Sequence, residues 1–200
     1  MTKAAVRIIR ARDCQTTPWK NGGGSTTQIA AGPVHSSLET FDWRISMAHV
    51  ASDGPFSDFA GVDRTLAVVK GSGLVLVIGS NAPVTVSSGA DPVSFPGDVP
   101  TSARLASGEI TDLNVMTRRG RFGHRLLRIA QPMFCDFGEG DDIAVVLSLN
   151  GTTTVTSERD TATLDHDDAA VVSRGTAAGF RILATTGDCY LVLLREQRAT

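Results

Sequence analysis

"RTLAVVKGSGLVLVI", Arg64 to Ile78, decides the fold. A β-branched apolar run, Thr65–Val69, meets the turn Gly71-Ser72-Gly73 and then a second apolar run, Leu74–Ile78. Neither run has the i, i+3, i+4 spacing of an amphipathic helix, so both read as strands. The same pattern recurs along the chain. Ala5–Ile9, Trp43–Val50, Val84–Val86, Ile110–Met116, Ile143–Leu149, Thr152–Thr156, Ala169–Val172 and Tyr190–Leu194 are further candidates. Gly79-Ser80-Asn81, Asn150-Gly151 and Thr186-Gly187-Asp188 punctuate them with turn residues. Many short strands at this spacing predict an all-β sandwich or barrel.

The opening stretch also has a partner. "DIAVVLSLNGTTTVT" from Asp142 repeats its strand, glycine turn and strand. "VSFPGDVPTSARL" from Val93 pairs in pattern with "ATLDHDDAAVVSR" from Ala162, and "ITDLNVMTRRG" from Ile110 with "GDCYLVLLREQ" from Gly187. Two similar antiparallel barrel lobes follow: residues 1–120, holding N-terminal strands and the first lobe, and residues 121–200, holding the second. Gly120–Pro132 is the expected connection.

Composition narrows the function classes. The 200 residues are 42% hydrophobic with a net charge of −2, so no basic field favours nucleic acid. The N-terminal apolar stretch is broken by Lys3, Arg7, Arg10, Arg12 and Asp13, which fits neither a signal peptide nor a membrane span. Cys14, Cys135 and Cys189 are odd in number and form no CxxC pattern, as expected of free thiols in a cytoplasmic protein.

Duplicated jelly-roll lobes with a Gly-x-Gly turn and a later Pro-Gly turn resemble the cupin superfamily. That resemblance implies a metal held by His-x-His, a Glu seven positions before the turn glycine, and a last His. Here Arg64 stands seven before Gly71, no histidine occurs in Phe56–Asp63, and Pro100 replaces the last His. In the second lobe Ala144 stands seven before Gly151, and His35, His49, His124 and His166 fall at none of these places. No metal and no cofactor are expected. A guanidinium at the metal position suits an anion, since it offers planar bidentate donors to a carboxylate. Asp63 and Arg64 are neighbours and face opposite ways on a strand; Arg64 is expected to face inward.

With "PWKNGGG" (Pro18–Gly24), "FDWRIS" (Phe41–Ser46), "GPFSDFAGVDRTL" (Gly54–Leu66), "FPGD" (Phe95–Asp98) and "DLNVMTRRG" (Asp112–Gly120) in order, the chain is similar to the HutD/Ves family over residues 6–195. The resemblance implies a metal-free bicupin associated with histidine utilisation. It implies further that formylglutamate, formate or urocanate is sensed as a governor of that pathway, or, in some members, a link to cold or stress responses.

Individual residues follow from local pattern. "GGGSTTQ" lacks the Lys-Ser/Thr ending of a phosphate loop, so its glycines read as a sharp turn near a ligand, with Lys20 and Asn21 as donors. Trp19 is either an apolar wall of that site or a core plug. Alternation puts Phe41, Trp43, Ile45 and Met47 on one face, with Arg44 on the other as a second anion donor or a solvated side chain. It also puts Asn114 and Met116 opposite Leu113 and Val115, where Asn114 is a pocket donor or a structural amide. The ligand-binding set is therefore Trp19, Lys20, Asn21, Arg44, Arg64 and Asn114. Asp98 reads as a turn acceptor and "DHDD" (Asp165–Asp168) as a solvated turn. The basic residues Arg118, Arg119, Arg121, Arg125 and Arg128 read as caps for carboxylates or part of an anion field.

Together these features describe a binding module for a small anionic metabolite, with no catalytic residue, no nucleic-acid or membrane partner, and sheet-edge homodimerisation as the other partner expectation. The alternative is a metal-independent cupin isomerase or hydrolase acting on a small carboxylated metabolite, with His49 moving a proton and Asp63 as its partner.

Overall fold

The computed structural model describes residues 6–137 and 140–197. Strand β1 (Val6–Ile9) precedes a single 3-10 turn, Ala11–Asp13. The strands β2 (Gln15–Pro18), β3 (Gly24–Gly32), β4 (Trp43–Val50), β5 (Gly54–Pro55), β6 (Val62–Lys70) and β7 (Leu74–Ile78) follow. Next come β8 (Val84–Val86), β9 (Val93–Pro96), β10 (Thr101–Leu105), β11 (Ile110–Arg118), β12 (Phe122–Ile129) and β13 (Met133–Asp136). The last are β14 (Ile143–Leu149), β15 (Thr153–Ser157), β16 (Thr161–Leu164), β17 (Ala169–Ser173), β18 (Gly179–Ala184) and β19 (Asp188–Glu196). The chain is all-β, and the expected strands are present. Ala5 lies outside the described residues.

Two compact units divide the chain. Gln15–Phe122 forms one, and the stretch up to Cys14 joins everything from Gly123 onward in the other. The expected boundary near residue 120 thus misplaces the N-terminus: β1 pairs with β17, not with a strand of the first half. Each unit has two antiparallel sheets. In the first they run β2-β3-β4-β11-β6-β9 and β5-β10-β7-β8; in the second, β12-β19-β14-β17-β1 and β13-β18-β15-β16. Numbering β4–β11 and β12–β19 from one to eight, both units read 1-8-3-6 in the larger sheet and 2-7-4-5 in the smaller.

This order corrects two sequence expectations. Residues 93–105 are the sixth and seventh strands of their unit, whereas residues 162–174 hold the fifth and sixth of theirs. β9 pairs with β6 of the larger sheet, but β16 pairs with β15 of the smaller one. Both stretches are strand, acidic turn, strand, and local pattern cannot say which sheet each strand joins. The presumed connection at 120–132 is instead mostly β12, the first strand of the second unit's eight. Its His124, Arg125 and Arg128 hide a strand that buries only Leu126 and Ile129.

Apolar residues from both sheets meet in each interior. Ala48, Leu66 and Val68 of the larger sheet pack with Leu74, Leu76 and Val86 of the smaller in the first unit. Val146, Leu191 and Leu193 pack with Val155, Leu164 and Ile182 in the second. Phe41 departs from the expected alternation. It precedes β4 and packs with Val62, Met116 and Phe59, not with the Trp43 face. Among the described residues, no helix is long and apolar enough to cross a membrane.

Candidate functional site

β11 lies between β4 and β6, and antiparallel pairing sets residues of all three in rows on one face. Arg44, Met116 and Arg64 form one row; Ser46, Asn114 and Leu66 the next; Ala48, Asp112 and Val68 the third. β3 adds Gln28 beside Ser46 and Thr26 beside Ala48. Because Ala48, Leu66 and Val68 belong to the interior cluster, the polar residues of these rows face the interior too.

Arg64 is only 5% exposed. Its Nη2 donates to the Asn114 side-chain oxygen at 2.8 Å, and its Nη1 reaches the Ser57 carbonyl at 3.4 Å, the long limit of a hydrogen bond. Phe56, Phe95 and Phe59 set their ring centroids 4.7, 5.3 and 5.8 Å from the guanidinium carbon. The loop carrying Phe56 and Phe59 is pinned by backbone bonds from Phe56 to Thr101 and from Phe59 to Gly97. Gly97 suits this tight approach, since a Cβ would lie 3.0 Å from the Val62 carbonyl oxygen and 3.3 Å from Arg64 Cδ and its neighbours would have to give. Burial lowers the Arg64 pKa to about 10, with Asp112 opposing and Arg44 adding to the shift, so the side chain stays charged at neutral pH.

The Asn114 amide nitrogen donates in turn to Asp112 Oδ1. Asp112 is fully buried, and burial pushes its carboxyl up to about 7 against the pull of Arg64 and Asn114. Two polar atoms of this column, Arg64 Nε and Asp112 Oδ2, are buried without a hydrogen-bond partner. Orphaned buried polar atoms are uncommon and costly, and two in one column mark it as unusual. Arg44 closes the row, donating to Gln28 Oε1 at 3.0 Å and Ser46 Oγ at 3.1 Å. It is half-buried, which lowers its pKa.

The other expected donors lie elsewhere. Lys20 and Asn21 are exposed at the β2–β3 turn. Gly24, beside that turn, pairs with Val50, which pairs with Ile110. Ile110 is six residues along β11 from Met116, the partner of Arg64, a separation of about 20 Å at about 3.3 Å per residue. The structure therefore separates Lys20 and Asn21 from Arg64. Asn21 Oδ1 accepts the Gly23 N–H at 3.1 Å, a local turn contact. A Cβ at Gly24 would lie 2.2 Å from the His49 carbonyl oxygen and 3.0 Å from a Trp19 ring carbon, so the glycine lets the backbone pass close to both. Trp19 packs against the interior cluster and donates to Thr26 Oγ1 at 2.8 Å, so it is a plug at the far end of the same interior.

His49 meets Glu109 at 3.1 Å on the surface, while Asp63 binds Arg119 at 2.7 Å, so the His49–Asp63 pair does not form. Asp98 accepts from Gly61 N–H and Arg119, and that hydrogen bond from Arg119 is the main reason its pKa is lowered. Arg121, Arg125 and Arg128 bind Asp42, Asp141 and Asp188, while Arg118 donates to the carbonyls of Phe41 and Glu39. The arginines of the basic run thus bind different carboxylates and carbonyls. In "DHDD", Asp168 is buried and accepts from Arg10, Ala11 N–H and Asp165 N–H, which clips the turn after β1 in place. Among the described residues, no group of three or more His, Cys, Asp or Glu side chains is placed to hold a metal. The three cysteines are unpaired, and burial pushes Cys135 up to about 11 and Cys189 to about 12. The second unit carries a surface cleft of about 350 Å³ lined by His124, Arg125, Asp141 and Arg195.

Sequence reasoning missed Asp112, Ser46, Gln28 and the three phenylalanines. The alternation that places Asn114 inward places Asp112 inward as well. Nothing in the local pattern shows that Gln28, in a strand rich in Gly, Ser and Thr, pairs beside Ser46.

Comparisons with known proteins fit this fold. The HutD family model matches residues 11–191. Protein Ves of Citrobacter koseri is 37% identical over 131 residues, 65% of this chain and 66% of that protein. An uncharacterised 21.2 kDa protein in the hutC 3' region of Pseudomonas putida is 35% identical over 60% of this chain and 63% of its own length. The chain thus spans just under two thirds of these curated relatives. The structure of HutD from Pseudomonas fluorescens SBW25 (formate condition) superposes with a TM-score of 0.82 at 32% identity, covering 97% of this chain and all of that one. An oxalate decarboxylase of Lactobacillus farciminis, at 8% identity and a TM-score of 0.65 over 96% of this chain and 86% of that one, shares the fold alone. By its matched length and its structural likeness, the chain belongs to the HutD family.

Proposed function

We propose that this chain is a metal-independent bicupin that binds a small carboxylate at Arg64 and serves as a sensor in the regulation of histidine utilisation. The strand order 1-8-3-6 over 2-7-4-5 in each unit is that of a jelly roll, which supports the bicupin reading. One observation carries the ligand class: a charged, 95%-buried guanidinium meets two acceptors, one of them distant, and leaves Nε unpaired. A carboxylate supplies the acceptors such a fork lacks. The neighbourhood of hutC for the Pseudomonas putida relative supports the pathway, and the formate condition of the Pseudomonas fluorescens structure is compatible with a carboxylate.

Magnitudes select among formylglutamate, formate and urocanate. Very small ligands gain at most about 1.5 kcal/mol per heavy atom, which holds three-atom formate near millimolar Kd. A metabolite of about ten heavy atoms at about 0.8 kcal/mol each reaches about micromolar. Formate then fills only the carboxylate subsite of a larger signal. Calorimetry with formylglutamate and urocanate on the wild type and on Arg64→Met tests this. Saturable binding weakened at least about 30-fold by the substitution is expected, from about 2 kcal/mol for a charged hydrogen-bonded contact. Equal binding by both proteins, or none by the wild type, contradicts it.

A further inference from the structure

We propose that Asp112 couples anion capture at Arg64 to proton uptake, taking one proton from solvent when a carboxylate docks. This rests on the carboxylate reading above and adds the regulation of that site. Arg64 and Asp112 share one mediator: Asn114 accepts from the guanidinium with its oxygen and donates to the carboxylate with its nitrogen. A docked anion and Asp112 thus draw on the field of the same guanidinium. In a water-poor interior, the second negative charge raises the cost of keeping Asp112 ionised.

Asp112 Oδ2 is buried and has no hydrogen-bond partner, so it can form the new O–H bond while Oδ1 keeps its bond from Asn114. The only other species in the step is the proton lost by the buffer. The charged groups that face Asp112 are Arg64 from β6 and, one row beyond Asn114, Arg44 from β4. β3 contributes Thr26 and Gln28 to the rows, and the facing sheet contributes Leu74, Leu76, Val86 and Ala103, none of which titrates. His49, Lys70 and Glu109 are exposed near the end of the sheet. Burial already places the carboxyl near neutrality, so a further upward push crosses the physiological range. By linkage, protonation of Asp112 tightens anion binding by the same factor.

The test uses the wild-type chain with formylglutamate as the probe, its own carboxylates ionised throughout. Calorimetry in pairs of cationic buffers whose ionisation heats differ, Tris and triethanolamine at pH 8 and Bis-Tris and imidazole at pH 6, counts protons without offering the site a competing anion. Uptake of up to about one proton per anion at pH 8 and almost none at pH 6 is expected. Between pH 7 and 9 the Kd should rise by up to about tenfold per pH unit, and Asp112→Asn should abolish both effects while still binding. Saturable binding with no proton uptake at pH 8 overturns the coupling and leaves the carboxylate reading standing. The same uptake in Asp112→Asn also overturns it. Absence of binding at every pH removes both. Should the variant not fold, the wild-type proton count decides alone.

Discussion

The two units run the same eight strands in the same order, yet their interiors differ at one pair of strands. In the second unit the eighth strand, β19, sets Leu191 opposite Val146 and Leu193 opposite Ala144. In the first, β11 sets Asp112 opposite Val68 and Asn114 opposite Leu66. One column is aliphatic and the other is a carboxylate and an amide leading to a guanidinium. The aliphatic unit demonstrates that this topology needs no charge inside, so the polar column is not a requirement of folding. A buried, incompletely paired charge costs stability that hydrophobic side chains of similar volume would recover. The polar column is therefore where function is expected.

The largest effect is expected from moving the charge. Leu191→Asp puts a carboxylate into the aliphatic interior, and urea denaturation should show a loss of about 3–5 kcal/mol. A loss below about 1 kcal/mol means that the second interior is not dry.

Arg64→Met should come next. It strips Asp112 of its counter-charge, so the carboxyl must stay buried unpaired or take up a proton, and it should cost about 3 kcal/mol at pH 8. At pH 5 the loss should be smaller, because Asp112 is protonated there. Adding Asp112→Leu should recover most of the stability, since it copies the other unit, while carboxylate binding stays lost. A double variant less stable than either single one contradicts the account.

Asp112→Asn sharpens it further. The folded carboxyl titrates near 7 and an unfolded one near 4, so the folded state binds the proton more tightly. Wild-type stability should thus fall as pH rises from about 4 to about 7, and the variant should flatten that slope. A slope equal to wild type in a denaturation series over this range assigns it to other groups. The smallest effect belongs to Asn21→Ala, which loses one turn hydrogen bond. About 0.5–1 kcal/mol of stability and unchanged carboxylate affinity are expected by denaturation and calorimetry. A tenfold weaker Kd would return the glycine turn to the site.

What the sequence disclosed follows the reach of each signal. Strand periodicity is local, so β4, β6, β7, β11, β14 and β15 are legible residue by residue. Arg64 is legible because a motif position with a wrong residue type is visible without coordinates. Sheet membership depends on pairing between distant segments, and this hid the role of β1 and β12 and displaced the second repeat by one strand. The glycine run misled for a physical reason. Close approach to a ligand and close approach to the protein's own backbone demand the same missing Cβ, and at Gly24 the nearest neighbour is the His49 carbonyl oxygen, with the Trp19 ring next.

The central claim is that Arg64 Nε, buried and unpaired, belongs to a carboxylate site. Titrating the ¹⁵N-labelled protein with formylglutamate while following the arginine Nε–H resonances tests it most directly, with Arg64→Met assigning the signal. The account predicts that the Arg64 resonance shifts saturably, with the Kd that calorimetry gives. A ligand that binds while this resonance stays still would contradict it.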